Sequence, residues 1–128
     1  MIRQGLVAMG VLVWSGLAMA QETPPGQRVF NQCRSCHQVG PTAKNVIGPQ
    51  LNGLIGRAAG TVPGYAYSEA NKASGIVWTD AVFAEYIKNP KAKIPGTKMV
   101  YAGLKDETQI ADLTTYLKTF TASGAPTE

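Results

Sequence analysis

The residues of this chain best suited to chemistry are Cys33, Arg34, Ser35, Cys36 and His37: two thiols three positions apart, with an imidazole directly after the second. That spacing is a covalent haem-attachment motif. Each thiol can add across one of the porphyrin's two vinyl groups while the adjacent imidazole swings beneath the iron. His37 is the only His in the chain, so no other imidazole could hold iron bound here. Rival uses of the pair fit less well. A zinc site needs two further ligands, and there is no third Cys and no second His. A thioredoxin-like redox pair needs a preceding strand in a βαβ unit, whereas the residues before Cys33 read as a helix. A structural disulfide suits an exported protein but gives His37 no part.

Thioether sulfur opposite His on a haem iron raises its reduction potential. The methionines are Met1, Met9, Met19 and Met99. The first three lie in a segment with the form of a secretory signal: Arg3 at the start, an apolar run from Leu6 to Trp14 and Leu17, then Ala18-Met19-Ala20. Cleavage is expected after Ala20, leaving 21–128 as one domain. The apolar run is short of the roughly 20 residues that span a bilayer, so stable membrane insertion is not expected. That leaves Met99, in Ile94-Pro95-Gly96-Thr97-Lys98-Met99, where Pro95 stiffens the chain and Gly96 permits a turn. A lone Met often fills a core gap; beside a haem motif, in a stiff loop, it reads as the second iron ligand.

These residues need elements to position them. A short helix from Gly26 into the attachment site is predicted by Val29, Phe30 and Cys33. Repeated Gly and Pro between Gln38 and Pro63 predict irregular chain that must wrap something, with Leu51, Leu54 and Ile55 beneath it. Ser68 can cap a brief helix through Asn71. Thr79 or Asp80 can cap a helix over 81–88 whose stripe is Val82, Phe83, Tyr86 and Ile87, stopped by Asn89-Pro90. Asp106 with Gln109 predicts a capping box ahead of a helix with Ile110, Leu113, Leu117 and Phe120 inward. Ser123 to Glu128 reads as a polar tail.

Taken together these motifs resemble the class I cytochromes c, close to the bacterial c2 type and to mitochondrial cytochrome c in size. The resemblance runs from Gly26 to Phe120 and rests on the attachment site, Gly48-Pro49, Trp78, Asn89-Pro90 and Ile94 to Met99. It implies an all-α fold, with the first and last helices crossing and short helices and loops wrapped round one covalently bound haem c. It implies that His37 and Met99 bind the iron and that Gly26 allows the helix crossing. On sequence alone Pro49 is a turn proline or a carbonyl acceptor for His37; the resemblance implies the acceptor. It likewise implies that Arg57, Tyr67 and Trp78 hold a haem propionate, and that Asn71, Tyr86 and Thr97 form a polar network near the Met99 sulfur. Ser68 departs from the Thr often found after the tyrosine at position 67.

With both axial positions filled, no site remains for a substrate, and one-electron exchange is the chemistry left. The expected function is a periplasmic electron carrier and not an enzyme. The resemblance implies cytochrome bc1 as donor and a terminal oxidase or photosynthetic reaction centre as acceptor. A haem peroxidase, or the haem subunit of a dehydrogenase, is the rival reading, and lacks a distal acid or base. Removing residues 1–20 takes Arg3 from the 12 Lys and Arg, leaving 11 against 8 Asp and Glu. That excess is too small, and too devoid of motif, for nucleic acid. Lys44, Lys88, Lys91, Lys93, Lys98 and Lys105 are expected around the exposed haem edge, steering acidic redox partners, with Glu69, Asp80 and Glu85 elsewhere. A monomer is expected.

Overall fold

A computed structural model describes residues 10–16 and 22–127. Most of the signal segment, and its cleavage position after Ala20, lie outside the described residues. The described part of it, residues 10–16, is not helical and leaves Val11, Leu12, Val13 and Trp14 exposed. No described helix is long and apolar enough to cross a membrane.

The described chain is all-α, with five helices and two isolated β-bridges, as the fold expectation required. Helix α1 (Pro25–Phe30) opens with Pro in its first turn, where a missing N–H costs no hydrogen bond. Helix α5 (Glu107–Leu117) is capped by Asp106, whose carboxylate accepts from the Gln109 N–H at 2.8 Å. The two cross at Gly26, where a Cβ would collide with the Asp112 carbonyl oxygen and the Tyr116 Cβ. The missing side chain lets the backbones touch, and Phe30, Leu113 and Leu117 are almost wholly buried there. Full burial of such a side chain stabilises the fold by roughly 1.5–3 kcal/mol.

Between these ends the loops carry short helices. Ser68 caps α2 (Glu69–Lys72) through the Asn71 N–H at 3.1 Å. Thr79, and not Asp80, caps α3 (Asp80–Lys88), accepting from the Val82 N–H at 3.1 Å. Phe83, Tyr86 and Ile87 turn inward. Asn89-Pro90 ends α3 and also starts α4 (Pro90–Lys93): the Asn89 side chain accepts from the Ala92 N–H at 3.3 Å. An Asn that interrupts one helix is a good N-cap for the next.

The C-terminal end differs from the expectation. Helix α5 stops at Leu117, so Phe120 lies beyond it, edge-on to Tyr116 and bridged to Pro126. Residues 119–127 form a closed turn, with Thr121 N–H on the Ala125 carbonyl at 2.9 Å and Thr127 N–H on the Thr119 carbonyl at 2.9 Å.

Candidate functional site

The loops and helices enclose a cavity of about 320 Å³. Every residue singled out from the sequence lines it: Cys33, Cys36, His37, Pro49, Arg57, Tyr67, Asn71, Trp78, Tyr86, Thr97 and Met99. Phe30, Leu54, Phe83, Ile87, Leu113 and Leu117 make the rest of the wall largely apolar. Thus the core shared by α1, α3 and α5 is also the cavity lining.

One side is built on the turn that follows α1. The His37 N–H bonds to the Cys33 carbonyl at 2.9 Å, fixing the imidazole one turn beyond the first thiol. His37 Nδ1 lies 2.7 Å from the Pro49 carbonyl oxygen. A carbonyl only accepts, so Nδ1 carries the proton and Nε2 keeps a bare lone pair, the form a metal binds. Burial lowers the His37 pKa, the Pro49 bond opposes that, and the Arg57 charge adds to the lowering. Gly48 is a cradle for this ring, since a Cβ there would stand 2.7 Å from Nδ1 and closer still to the carbon beside it. The Gly48 N–H bonds to the Cys36 carbonyl at 2.7 Å, tying that cradle to the cysteine turn.

Cys33 is not poised as a redox nucleophile. Burial, then the neighbouring Cys36, push the Cys33 thiol up to about 11, so it is protonated at neutral pH. A thioredoxin-type cysteine needs a lowered value. Among the described residues there is no group of three or more Cys, His, Asp or Glu that could hold a metal ion.

Met99 arrives from the other side, on the loop between α4 and α5. The Tyr86 O–H donates to its sulfur at 3.0 Å, and its N–H donates to Thr97 Oγ1 at 3.3 Å. Burial raises the Tyr86 pKa, while a hydrogen bond with Thr97 lowers it and Tyr65 raises it, so its proton stays available to the sulfur. Asn71 Oδ1 is buried on this wall with no hydrogen-bond partner, an acceptor for which the described residues supply no donor.

Arg57 donates to the carbonyls of Gln50 at 3.1 Å and Asn52 at 3.2 Å, and Tyr67 accepts from the Val62 N–H at 3.0 Å. Both still line the cavity, the Tyr67 proton free to donate. Sequence reasoning missed Gly48 as a cradle, Asn52 as a buried tie, and Ile47, Tyr65 and Val100 on the wall. Tyr65 had a faint signal in the Tyr65-x-Tyr67 repeat; Ile47 and Val100 are largely exposed apolar residues without one.

Two of the lysines expected around the exposed edge are held in ion pairs: Lys93 with Glu85 at 2.7 Å, and Lys88 with Glu107. Lys98 donates to the Ala66 carbonyl with its ammonium over the Tyr65 ring, and Lys105 donates to the Lys88 carbonyl. Lys44 and Lys91 carry no ion pair among the described residues.

An apolar cavity with two adjacent thiols, an imidazole presenting a bare nitrogen and a thioether fits a covalently held haem. The Cytochrome c family model matches residues 24–121. The chain belongs to the cytochrome c family. It is 59% identical over 108 residues to cytochrome c2 of Blastochloris viridis, spanning 84% of this chain and 85% of that one. Cytochrome c-550 of Nitrobacter winogradskyi is 57% identical, over 77% of this chain and 91% of the relative. Cytochrome c2 from Rhodospirillum centenum has a similar structure, with a TM-score of 0.72 at 39% identity, covering 77% of this chain and 99% of that one. Cytochrome cH from Methylobacterium extorquens has a TM-score of 0.70 at 42% identity, covering 74% and 95%. This cytochrome c is thus c2-like and carries electrons; it is not an enzyme. Its family holds haem c covalently through cysteines, and the two cysteines here are Cys33 and Cys36.

Proposed function

We propose that this chain is a periplasmic one-electron carrier, with one haem c joined to Cys33 and Cys36 and its iron held by His37 and Met99. When bound, that group supplies reversible exchange between Fe(II) and Fe(III). The observation that carries the reading is that both thiols, His37 and Met99 line a single apolar cavity. The Pro49 carbonyl accepts a hydrogen bond from the His37 Nδ1–H and so orients the ring and strengthens Nε2 as a donor. Tyr86 holds the Met99 sulfur in register, with Thr97 bracing the backbone. Arg57, Tyr67 and Trp78 are the donors for a propionate, and Asn71 completes the polar group beside Met99. The packed walls exclude water and change little between oxidation states, which keeps rearrangement small.

Residues 1–20 are the export signal and 21–128 the mature, monomeric carrier. Cytochrome bc1 is the donor and a terminal oxidase or photosynthetic reaction centre the acceptor, as the similarity to cytochromes c2 supports. Docking is to acidic surfaces, with Lys44 and Lys91 the cations most free to steer. The test is to express the chain with its signal in a host that matures c-type haem and take spectra in both redox states. A low-spin ferric spectrum with a weak sulfur-to-iron band near the red end is expected. So are reduction by purified bc1 complex and oxidation by oxidase or reaction centre, both slower at high salt. A high-spin ferric spectrum with peroxide turnover overturns the reading.

A further inference from the structure

Residues 122–127 lie beyond the region matched by the family and are exposed except for Gly124, which is packed against the loop that begins at Gly40. Gly124 is buried with a φ of 80°, and a Cβ there would strike the Gly40 carbonyl oxygen and stand 2.7 Å from Asn52 Nδ2. Only glycine takes that backbone angle and that contact without strain. Asn52 is itself 6% exposed and pairs with Gly40 twice, its Oδ1 accepting from the Gly40 N–H at 2.8 Å and its Nδ2 donating to the Gly40 carbonyl at 2.9 Å. The next residue joins the same seam: the Gly53 N–H donates to the Phe120 carbonyl at 3.0 Å. The Asn52 N–H in turn donates to Gln50 Oε1 at 2.6 Å, one residue from the Pro49 carbonyl that holds His37.

We infer that the closed turn 119–127 is a clamp on the loop from Gly40 to Gly53, fixing the Pro49 carbonyl against His37, with Gly124 and Asn52 as its positioning residues. The turn is self-supporting, since Thr121 Oγ1 also donates to the Ala125 carbonyl at 3.0 Å. A terminal segment held only by solvent would have no reason to seat a glycine on a buried carbonyl. The clamp restricts how far the Pro49 carbonyl can drift from Nδ1, and so how strongly Nε2 donates to a metal. This rests on the proposed ligation by His37.

The test uses haem-loaded, full-length protein and three variants: Gly124→Val, the milder Thr121→Val, and a chain ending at Thr121. Hydrogen exchange is read at the Gly40 and Gly53 amides, at the amides of α5, and at the His37 ring N–H, together with the midpoint potential. Gly124→Val and the shortened chain should speed exchange at Gly40, Gly53 and the ring N–H by about tenfold while α5 is unchanged, the pattern of a local opening. The midpoint potential should shift in the same two variants, and Thr121→Val should shift both readouts less, in the same direction. Faster Gly40 and Gly53 exchange with an unmoved ring N–H and potential overturns the clamp, leaving a merely structural tail. So does unchanged exchange throughout. A wild-type spectrum without a bound imidazole overturns the functional reading instead, and is seen before any variant is made.

Discussion

The two sides of the cavity are held by different kinds of bond. Nearest His37 the ties are made by backbone groups: the Gly48 N–H on the Cys36 carbonyl, the His37 N–H on the Cys33 carbonyl, and the Pro49 carbonyl on the imidazole. On the Met99 side they are mostly side chains: Tyr86 on the sulfur, Thr97 on the Met99 N–H, Lys98 over Tyr65, and the Tyr101 O–H on Gln32 Oε1 at 2.9 Å. Backbone ties survive most substitutions, because every residue but proline offers the same groups. Side-chain ties do not. The His37 side is therefore built for permanence, and the Met99 side is where substitution can adjust the site without losing the fold.

The largest break in that comparison comes from Gly48→Val, which puts a branched side chain where the His37 ring lies. Overpacking at so close a contact should cost about 3 kcal/mol, read as a lower urea midpoint of the haem-loaded protein, with little holoprotein recovered. Normal yield and stability would mean the His37 side yields as readily as the other. Met99→Ala comes next. It removes a half-buried side chain at a cost of about 2 kcal/mol and should leave a folded, coloured protein lacking the red-end band, with a lower midpoint potential and fast binding of carbon monoxide. A retained band would show that another group holds the iron. Tyr86→Phe is milder, because the ring keeps its edge contact with Trp78, 4.8 Å between centroids, and only the hydroxyl goes. Stability should fall by about 1 kcal/mol, and the sulfur-to-iron band and potential should shift while the His37 signals stay. A change confined to the His37 resonances would reverse the assignment of sides.

How much of this was legible in the sequence follows the same division. The attachment motif and the Asp106 cap could be read because each is local, whereas the Gly26 crossing came only through the resemblance. Pro49 could be singled out, but its carbonyl acceptor role came only through the resemblance, since a turn proline has the same spelling. Asn89 read only as a stop, although the same side chain starts α4. Gly124 read as part of a polar tail and Asn52 as part of a loop because their partner, Gly40, is 84 and 12 positions away, beyond any local period. Glu85 and Lys93 could not be paired by helix spacing, because the break at Asn89 turns the chain between them.

That last pair gives the smallest expected effect and the finest test of the Met99 side. Glu85 on α3 and Lys93 on α4 join the two helices that lead into the Met99 loop. The Lys93 hydrogen bond, then its charge, hold the exposed Glu85 carboxyl below its ordinary value, against slight desolvation and with Lys88 helping. A carboxyl with a lowered folded value takes up protons less readily than in the unfolded chain, so its contribution is complete above the ordinary carboxylate range. It fades as pH falls through that range towards the lowered value. Exposed pairs of this kind contribute little. Glu85→Gln should therefore lower Tm slightly at neutral pH in dilute salt, and the gap from wild type should close in acid or at high salt. A gap constant across pH would show that the charge has no part in it. The order of the Met99 loop would then rest on its other ties, making Tyr86, Thr97, Lys98 and Tyr101 the points at which that side can be tuned.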